Sequence, residues 1–169
     1  IEDSESHGPA WARNKGLEQT DSELVAFVDA DDMWYPDKLE RQLSALNRHK
    51  VGLCVEGACA GDSRTVTIDM FIRSILFGNL ESLTSTILFD RGQADEMRFN
   101  EDLERLEDHL FMIEAAVAGG VCFCDEPLVE IRKHEDGLSE RGNPEQIFES
   151  RLEVADVLER YPETEQYAD

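Results

Sequence analysis

Basic residues are scarce in this chain. Lys and Arg together number 16 against 38 Asp and Glu, which gives a formal net charge of −22 over 169 residues. Only four of the 16 are lysines: Lys15, Lys38, Lys50 and Lys133. A surface this acidic repels polyanions, so nucleic acid and anionic membranes are excluded as partners. A strongly acidic, Lys-poor surface around an ordinary apolar core is the composition of a halophile; a merely acidic mesophilic protein is the alternative. The halophile reading predicts that stability rises with salt, because self-repulsion is screened once the Debye length falls to ~3 Å at about 1 M. A melting temperature that stays flat or falls between about 0.1 and 2 M KCl would refute it.

Long apolar runs are also missing. No stretch reaches the ~18–20 residues of a membrane span. The most apolar region, Leu110 to Cys124, is interrupted by Glu114 and by Gly119-Gly120. No signal-peptide pattern is visible, so the expectation is a cytoplasmic protein, at most peripheral to a membrane. Cysteine is limited to Cys54, Cys59, Cys122 and Cys124, and their spacing matches none of the usual zinc signatures. Three of them sit in apolar, strand-like runs, as expected of small buried thiols in a reducing compartment. Repeats and low-complexity segments are absent, and the length suits a single domain.

What the chain does have is Leu24-Val25-Ala26-Phe27-Val28-Asp29-Ala30-Asp31-Asp32, an unbroken apolar run that ends in three carboxylates. Five apolar residues without alternation predict a strand buried on both faces, as in a parallel sheet. In open α/β sheets the ligand crevice lies beyond the carboxyl ends of the strands. In extended backbone Asp29 and Asp31 would leave on the same side, and clustered carboxylates suit a hard divalent cation. Acidic residues after a strand also commonly just open a loop, so both readings stand at this point. An EF-hand is excluded, because Trp34 occupies the position where that loop needs Gly.

Four ordered blocks together carry a family resemblance: Ala12-Arg13-Asn14-Lys15-Gly16; Phe27 through Pro36; Glu107-Asp108; and Glu126-Pro127-Leu128-Val129-Glu130-Ile131-Arg132-Lys133-His134. Over roughly residues 7 to 140 the chain resembles the inverting family 2 glycosyltransferases of GT-A fold. The resemblance implies an α/β, Rossmann-like architecture with a mostly parallel sheet and flanking helices. It divides the chain into a partial GT-A domain at 1–143 and a C-terminal helix with an acidic tail at 144–169. Members usually begin with a strand and helix that bind the nucleotide base; nothing before Ile1 supplies these. The expectation is therefore an N-terminally truncated domain that binds nucleotide poorly by itself, with the activity open for this piece alone.

The activity implied is transfer of a sugar from a nucleotide-diphosphate donor to a hydroxyl on a glycan, a lipid-linked or another acceptor. By resemblance Asp29 and Asp31 meet the donor and hold Mg²⁺ or Mn²⁺, and His134 reaches that metal from the C-terminal side. Arg13 approaches the nucleotide, Asn14 braces the neighbouring loop, Asp108 is the general base, and Glu107 braces it. Two other classes fit parts of the pattern. One is a non-catalytic sugar- or protein-binding module derived from this fold. The other is a nucleotidyltransferase, which shares the strand-end acids but not the Glu107-Asp108 and His134 blocks.

The remaining chain reads as alternating elements. A helix from His7-Gly8-Pro9 carries Ala10, Arg13, Asn14 and Leu17 on one face. A second, opened by Pro36 and Asp37, carries a Leu39, Leu43 and Leu46 stripe. Val51 to Val55 and Thr84 to Phe89 read as strands, Gly57 to Arg64 and Asp90 to Leu106 as loops. Thr67 to Phe77 reads as a helix with Met70, Ile75 and Leu76 inward. Glu107 opens a helix to about Ala118, two short strands follow at Val121 to Cys124 and Leu128 to Ile131, and a last helix spans Pro144 to Tyr161.

Overall fold

The structure, a computed structural model, describes residues 7–57, 63–77, 84–93, 97–124, 127–132 and 144–158. Helix α1 (Gly8–Glu18) starts where Pro9 can occupy a first turn without losing a needed donor, and it buries Ala10, Asn14 and Leu17. Strand β1 (Leu24–Ala26) leads to β2 (Met33–Trp34) and helix α2 (Lys38–His49). Then come β3 (Leu53–Glu56), β4 (Ser63–Thr65), α3 (Ile68–Leu76), a 3₁₀ turn at Thr84–Thr86 and β5 (Ile87–Asp90). Helix α4 (Glu107–Gly119), β6 (Val121–Cys124), β7 (Val129–Glu130) and α5 (Pro144–Leu158) complete the order.

Five strands form one sheet in the order β1-β5-β3-β6-β4, and β2 pairs with β7 in a small antiparallel ribbon. The sheet is mixed rather than mostly parallel: β3 and β6 run parallel, and the other pairings are antiparallel. Consequently β1 is an edge strand of three residues, not a strand buried on both faces; Leu24 is exposed and Val25 and Ala26 are half-buried. The strands buried on both faces are β3, β5 and β6. Leu53 and Val55 enter the larger core, beside Phe89, Val121 and Phe123, while Cys54 turns to the opposite face with Leu88 and Cys122. Ala45 and Leu46 of α2 cover that second face. The larger core receives α1, α3, α4 and α5, the last through Val154 and Leu158. The result is a sheet with helices on both faces.

Two expected stripes are rotated. On α2, Leu39 and Leu43 are exposed and the buried positions are Lys38, Gln42, Ala45 and Leu46. On α3, Met70 is exposed and Phe71 and Ile72 are fully buried with Ile75 and Leu76. Ser63 and Arg64, expected as the end of a loop, instead open the edge strand β4 on β6. Cys54, Cys122 and Cys124 are buried free thiols, as expected; Cys59 lies outside the described residues.

Lys38 is fully buried, yet it is not stranded. Its Nζ donates to Gln42 Oε1 (2.6 Å) and to the Ile87 carbonyl (3.3 Å), and sits 4.5 Å from the Trp34 ring centre. Gln42 Nε2 in turn donates to the Thr86 (2.8 Å) and Cys54 (3.3 Å) carbonyls. Polar side chains face the sheet here because these carbonyls need donors and water cannot reach them. Burial pushes the Lys38 ammonium down to about 8 from 10.5, against the opposing influence of Cys54, Glu56 and Cys124. An unfolded chain therefore holds this proton between about 8 and 10.5 while the folded chain has released it, so stability contributed by this group rises with pH across that window. Unfolding free energies of wild type minus Lys38→Met should climb with pH above about 8, by up to ~3 kcal/mol in all. A pH-independent difference would show that the amine titrates normally.

Candidate functional site

The site is built where α1, the chain beyond β1 and the start of α4 meet. Arg13 is at their junction. Its Nη1 donates to Glu107 Oε1 at 2.6 Å and its Nη2 to Asp29 Oδ1 at 3.2 Å. The pair with Glu107 is largely shielded, with side-chain exposures of 14% and 11%, whereas Asp29 is 41% exposed and opens to solvent. The guanidinium lies 5.4 Å from the Phe99 ring centre. Phe99 stacks on Phe111 (4.2 Å, 5°), and Phe27 meets both edge-on. An apolar floor of this kind keeps water from one side of the ion pair and strengthens it.

Asn14, one residue on, holds the loop that carries Phe99. Its Oδ1 accepts the Phe99 N–H (2.8 Å), and its Nδ2 donates to the Phe99 carbonyl (2.9 Å) and to Glu101 Oε1 (2.7 Å). This is the bracing that the resemblance implied for Asn14. The loop ends at Leu106, a non-glycine residue with φ of 61°. A left-handed residue without glycine costs roughly 1–2 kcal/mol, so packing holds it there, directly ahead of Glu107 and Asp108.

Helix α4 opens on those two acids with no side-chain cap at its N-terminus. Glu107 is buried and turned to Arg13; burial raises its carboxyl above the ordinary range, the charge of Asp108 adds to this, and Arg13 opposes it. Asp108 is half-buried and accepts the His109 backbone N–H through Oδ1 at 2.8 Å. The two neighbouring acids thus take different environments, one paired and sheltered, the other at the helix mouth.

The Asp-x-Asp segment is a turn, not extended backbone. Asp32 N–H donates to the Asp29 carbonyl at 3.0 Å, closing Asp29–Asp32. The same-side argument for Asp29 and Asp31 therefore does not apply: Asp29 faces Arg13, and Asp31 is exposed beyond it. Asp32 Oδ1 accepts the Arg132 backbone N–H at 3.4 Å, so the chain after β7 runs beside this turn. His134, two residues further, lies outside the described residues. Arg13, Asp29 and Asp31 thus belong to one neighbourhood. Asp108 joins it next to Glu107.

Among the described residues no three His, Cys, Asp or Glu side chains converge on a cation site. That donor set still fits Mg²⁺ or Mn²⁺ delivered with a nucleotide, since such ions are held by one or two carboxylates plus substrate phosphates rather than by an all-protein cage. Sequence reasoning missed the Arg13–Glu107 pair, which spans 94 positions, and the Phe99–Phe111 floor. It missed Ser85 as well, whose Oγ accepts the Asp29 N–H.

Comparison with known proteins agrees with the fold. Residues 1–68 match the family model described as glycosyl transferase family 2. The chain is 32% identical over 125 residues to the amylovoran biosynthesis glycosyltransferase AmsB of Erwinia amylovora, covering 65% of this chain and 42% of that protein. It is 28% identical over 145 residues to the succinoglycan biosynthesis protein ExoW of Rhizobium meliloti, covering 70% and 46%. Its fold matches S. aureus TarS 1–349 solved in complex with UDP-GlcNAc, with a TM-score of 0.64 at 22% identity, over 91% of this chain and 48% of that one. The chain spans less than half the length of these relatives. The resemblance to the family 2 glycosyltransferases therefore holds in sequence over residues 1–68, and the GT-A fold is shared over nine tenths of the chain.

Proposed function

We propose that this chain carries the donor-end and general-base side chains of a metal-dependent, inverting glycosyltransferase that uses a nucleotide-diphosphate sugar. The observation that supports it most is Arg13, which ties Asp29 of the Asp-x-Asp turn to Glu107 at the head of α4. That pairing supports reading the Asp-x-Asp turn and the start of α4, where Asp108 follows Glu107, as parts of one site. TarS was solved with UDP and with UDP-GlcNAc, and a uridine diphosphate sugar is the donor class to test first here.

Asp31 and Asp29, with His134 by resemblance, would hold the divalent ion that accompanies the donor. Bound there, Mg²⁺ or Mn²⁺ would supply a Lewis acid for the charge on the departing diphosphate. On a chain of net charge −22 a diphosphate needs such neutralisation. Arg13 pairs with both Asp29 and Glu107, offsetting one of their two charges and holding both in place. Asp108 stands at the helix mouth, where its free oxygen can take the proton of an acceptor hydroxyl as the new bond forms. The acceptor is a hydroxyl of a glycan, a lipid-linked sugar or another carrier. Among the described residues no helix is long and apolar enough to cross a membrane.

The test is a transfer assay with the protein that carries this chain, Mn²⁺ and a panel of α-linked uridine, guanosine and thymidine diphosphate hexoses. Proton NMR then reads the anomeric configuration of the product. A β-linked product from an α-linked donor is the expected outcome. Retention would remove Asp108 as base, and the absence of any nucleotide release across the panel would favour the non-catalytic binding module.

A further inference from the structure

The turn bearing Asp29 and Asp31 has left the sheet. Strand β1 ends at Ala26, so the backbone N–H of Asp29 has no ladder partner. It donates instead to Ser85 Oγ at 3.0 Å. On the other side of the same turn, Trp34 Nε1 donates to the Ser85 carbonyl at 3.1 Å. Both limbs of the turn are thereby fastened to a single residue. That residue is itself immobilised: Ser85 is fully buried in the 3₁₀ turn Thr84–Thr86. The next two carbonyls, of Thr86 and Ile87, are held by Gln42 and Lys38 of α2. Lys38 also sits over the Trp34 ring, closing a loop of contacts around the turn.

A buried hydroxyl at the head of a strand needs a reason, because burying it without a partner costs free energy. Here the partner is the backbone of the acid that faces Arg13. We infer that Ser85 is a positioning residue for the donor site, setting the height of Asp29 and, through the closed Asp29–Asp32 turn, the direction of Asp31. It acts through the turn and does not touch the donor itself. The inference rests on the glycosyltransferase reading of that turn.

The experiment compares wild type, Ser85→Ala, Trp34→Phe and Asp31→Asn, each in the protein that carries this chain, by three readouts. These are hydrogen-exchange protection of the Asp29 amide, affinity for UDP in the presence of Mn²⁺, and melting temperature. Loss of one ordinary hydrogen bond corresponds to roughly three- to tenfold. Ser85→Ala should reduce both the Asp29 protection and the Mn²⁺-dependent UDP affinity by about that factor. Trp34→Phe keeps an aromatic side chain but removes the indole N–H together with its five-membered ring, and should lose at least about threefold in UDP affinity; it decides the matter if Ser85→Ala does not fold. A merely structural Ser85 would lower the melting temperature while leaving the UDP affinity of the folded protein at the wild-type value, and that result would overturn the inference. If wild type and Ser85→Ala bind UDP equally while Asp31→Asn does not, the positioning role alone fails. If wild type shows no Mn²⁺-dependent UDP binding, the donor-site reading fails and takes the positioning role with it.

Discussion

Asp108→Asn is expected to lower sugar transfer by about 10²–10⁴-fold, the usual worth of general-base assistance. The substitution keeps the shape of the side chain and the oxygen that accepts the His109 N–H, so α4 keeps its start. Only the capacity to take a proton is removed. Donor and metal affinity should be unaffected, because neither is assigned to Asp108. Steady-state kinetics with a saturating donor separates the two: the loss should fall on kcat. Glu107→Gln should be milder, because its amide oxygen can still accept from Arg13 Nη1 and the bracing contact survives in weaker form. Near-normal turnover by Asp108→Asn would take Asp108 out of the mechanism, and a loss confined to donor affinity would reassign it to binding.

The second large effect is on stability. Arg13→Met leaves Glu107 sheltered and without its cation. Breaking a buried pair by removing one partner costs about 3–5 kcal/mol, because the remaining charge has lost water and gained nothing. Asp29, which is more exposed, adds little to that sum. The deficit should depend on pH. Burial and Asp108 already raise the Glu107 carboxyl, and Arg13 is the group that opposes the rise. Without it the folded chain binds a proton that the unfolded chain releases, so stability falls as pH rises through that range. The gap between wild type and Arg13→Met in urea unfolding should therefore narrow from about pH 7 toward about pH 5. A gap below about 1 kcal/mol at neutral pH would mean that Glu107 finds water or another partner.

Much of the candidate site could be read from residue order, because its residues sit at element ends that announce themselves. An apolar run stopping at Asp29-Ala30-Asp31-Asp32, two acids opening a helix at Glu107, and polar Arg13 and Asn14 on a core-facing stripe are all local signals. The tertiary pairings are not. Leu39, Leu43, Leu46 and Lys38, Gln42, Ala45 are both helical stripes on α2, and periodicity cannot choose between them. The choice falls to the carbonyls of Cys54 and Ile87 on strands and of Thr86 in the 3₁₀ turn, which accept from Lys38 and Gln42. Likewise, Leu24 to Val28 looked like a strand buried on both faces. It lies at the sheet edge because β5 pairs with it on one side only. The Arg13–Glu107 pair was invisible for a similar reason: each residue has an ordinary local explanation, a surface arginine and a helix-dipole acid, until the fold brings them to 2.6 Å.

The central claim is that the Asp29–Asp32 turn receives the diphosphate end of a sugar nucleotide together with a divalent ion. The most direct measurement is an electron paramagnetic resonance titration of Mn²⁺ in the presence and absence of UDP, on the protein that carries this chain, as wild type and as Asp31→Asn. Tight Mn²⁺ binding is expected only when UDP is present, since the substrate phosphates complete the oxygen shell. It should weaken by about tenfold or more in Asp31→Asn, the cost seen even when an outer partner of a metal ligand is removed. Equal Mn²⁺ affinity in the two proteins, or binding indifferent to UDP, would contradict it.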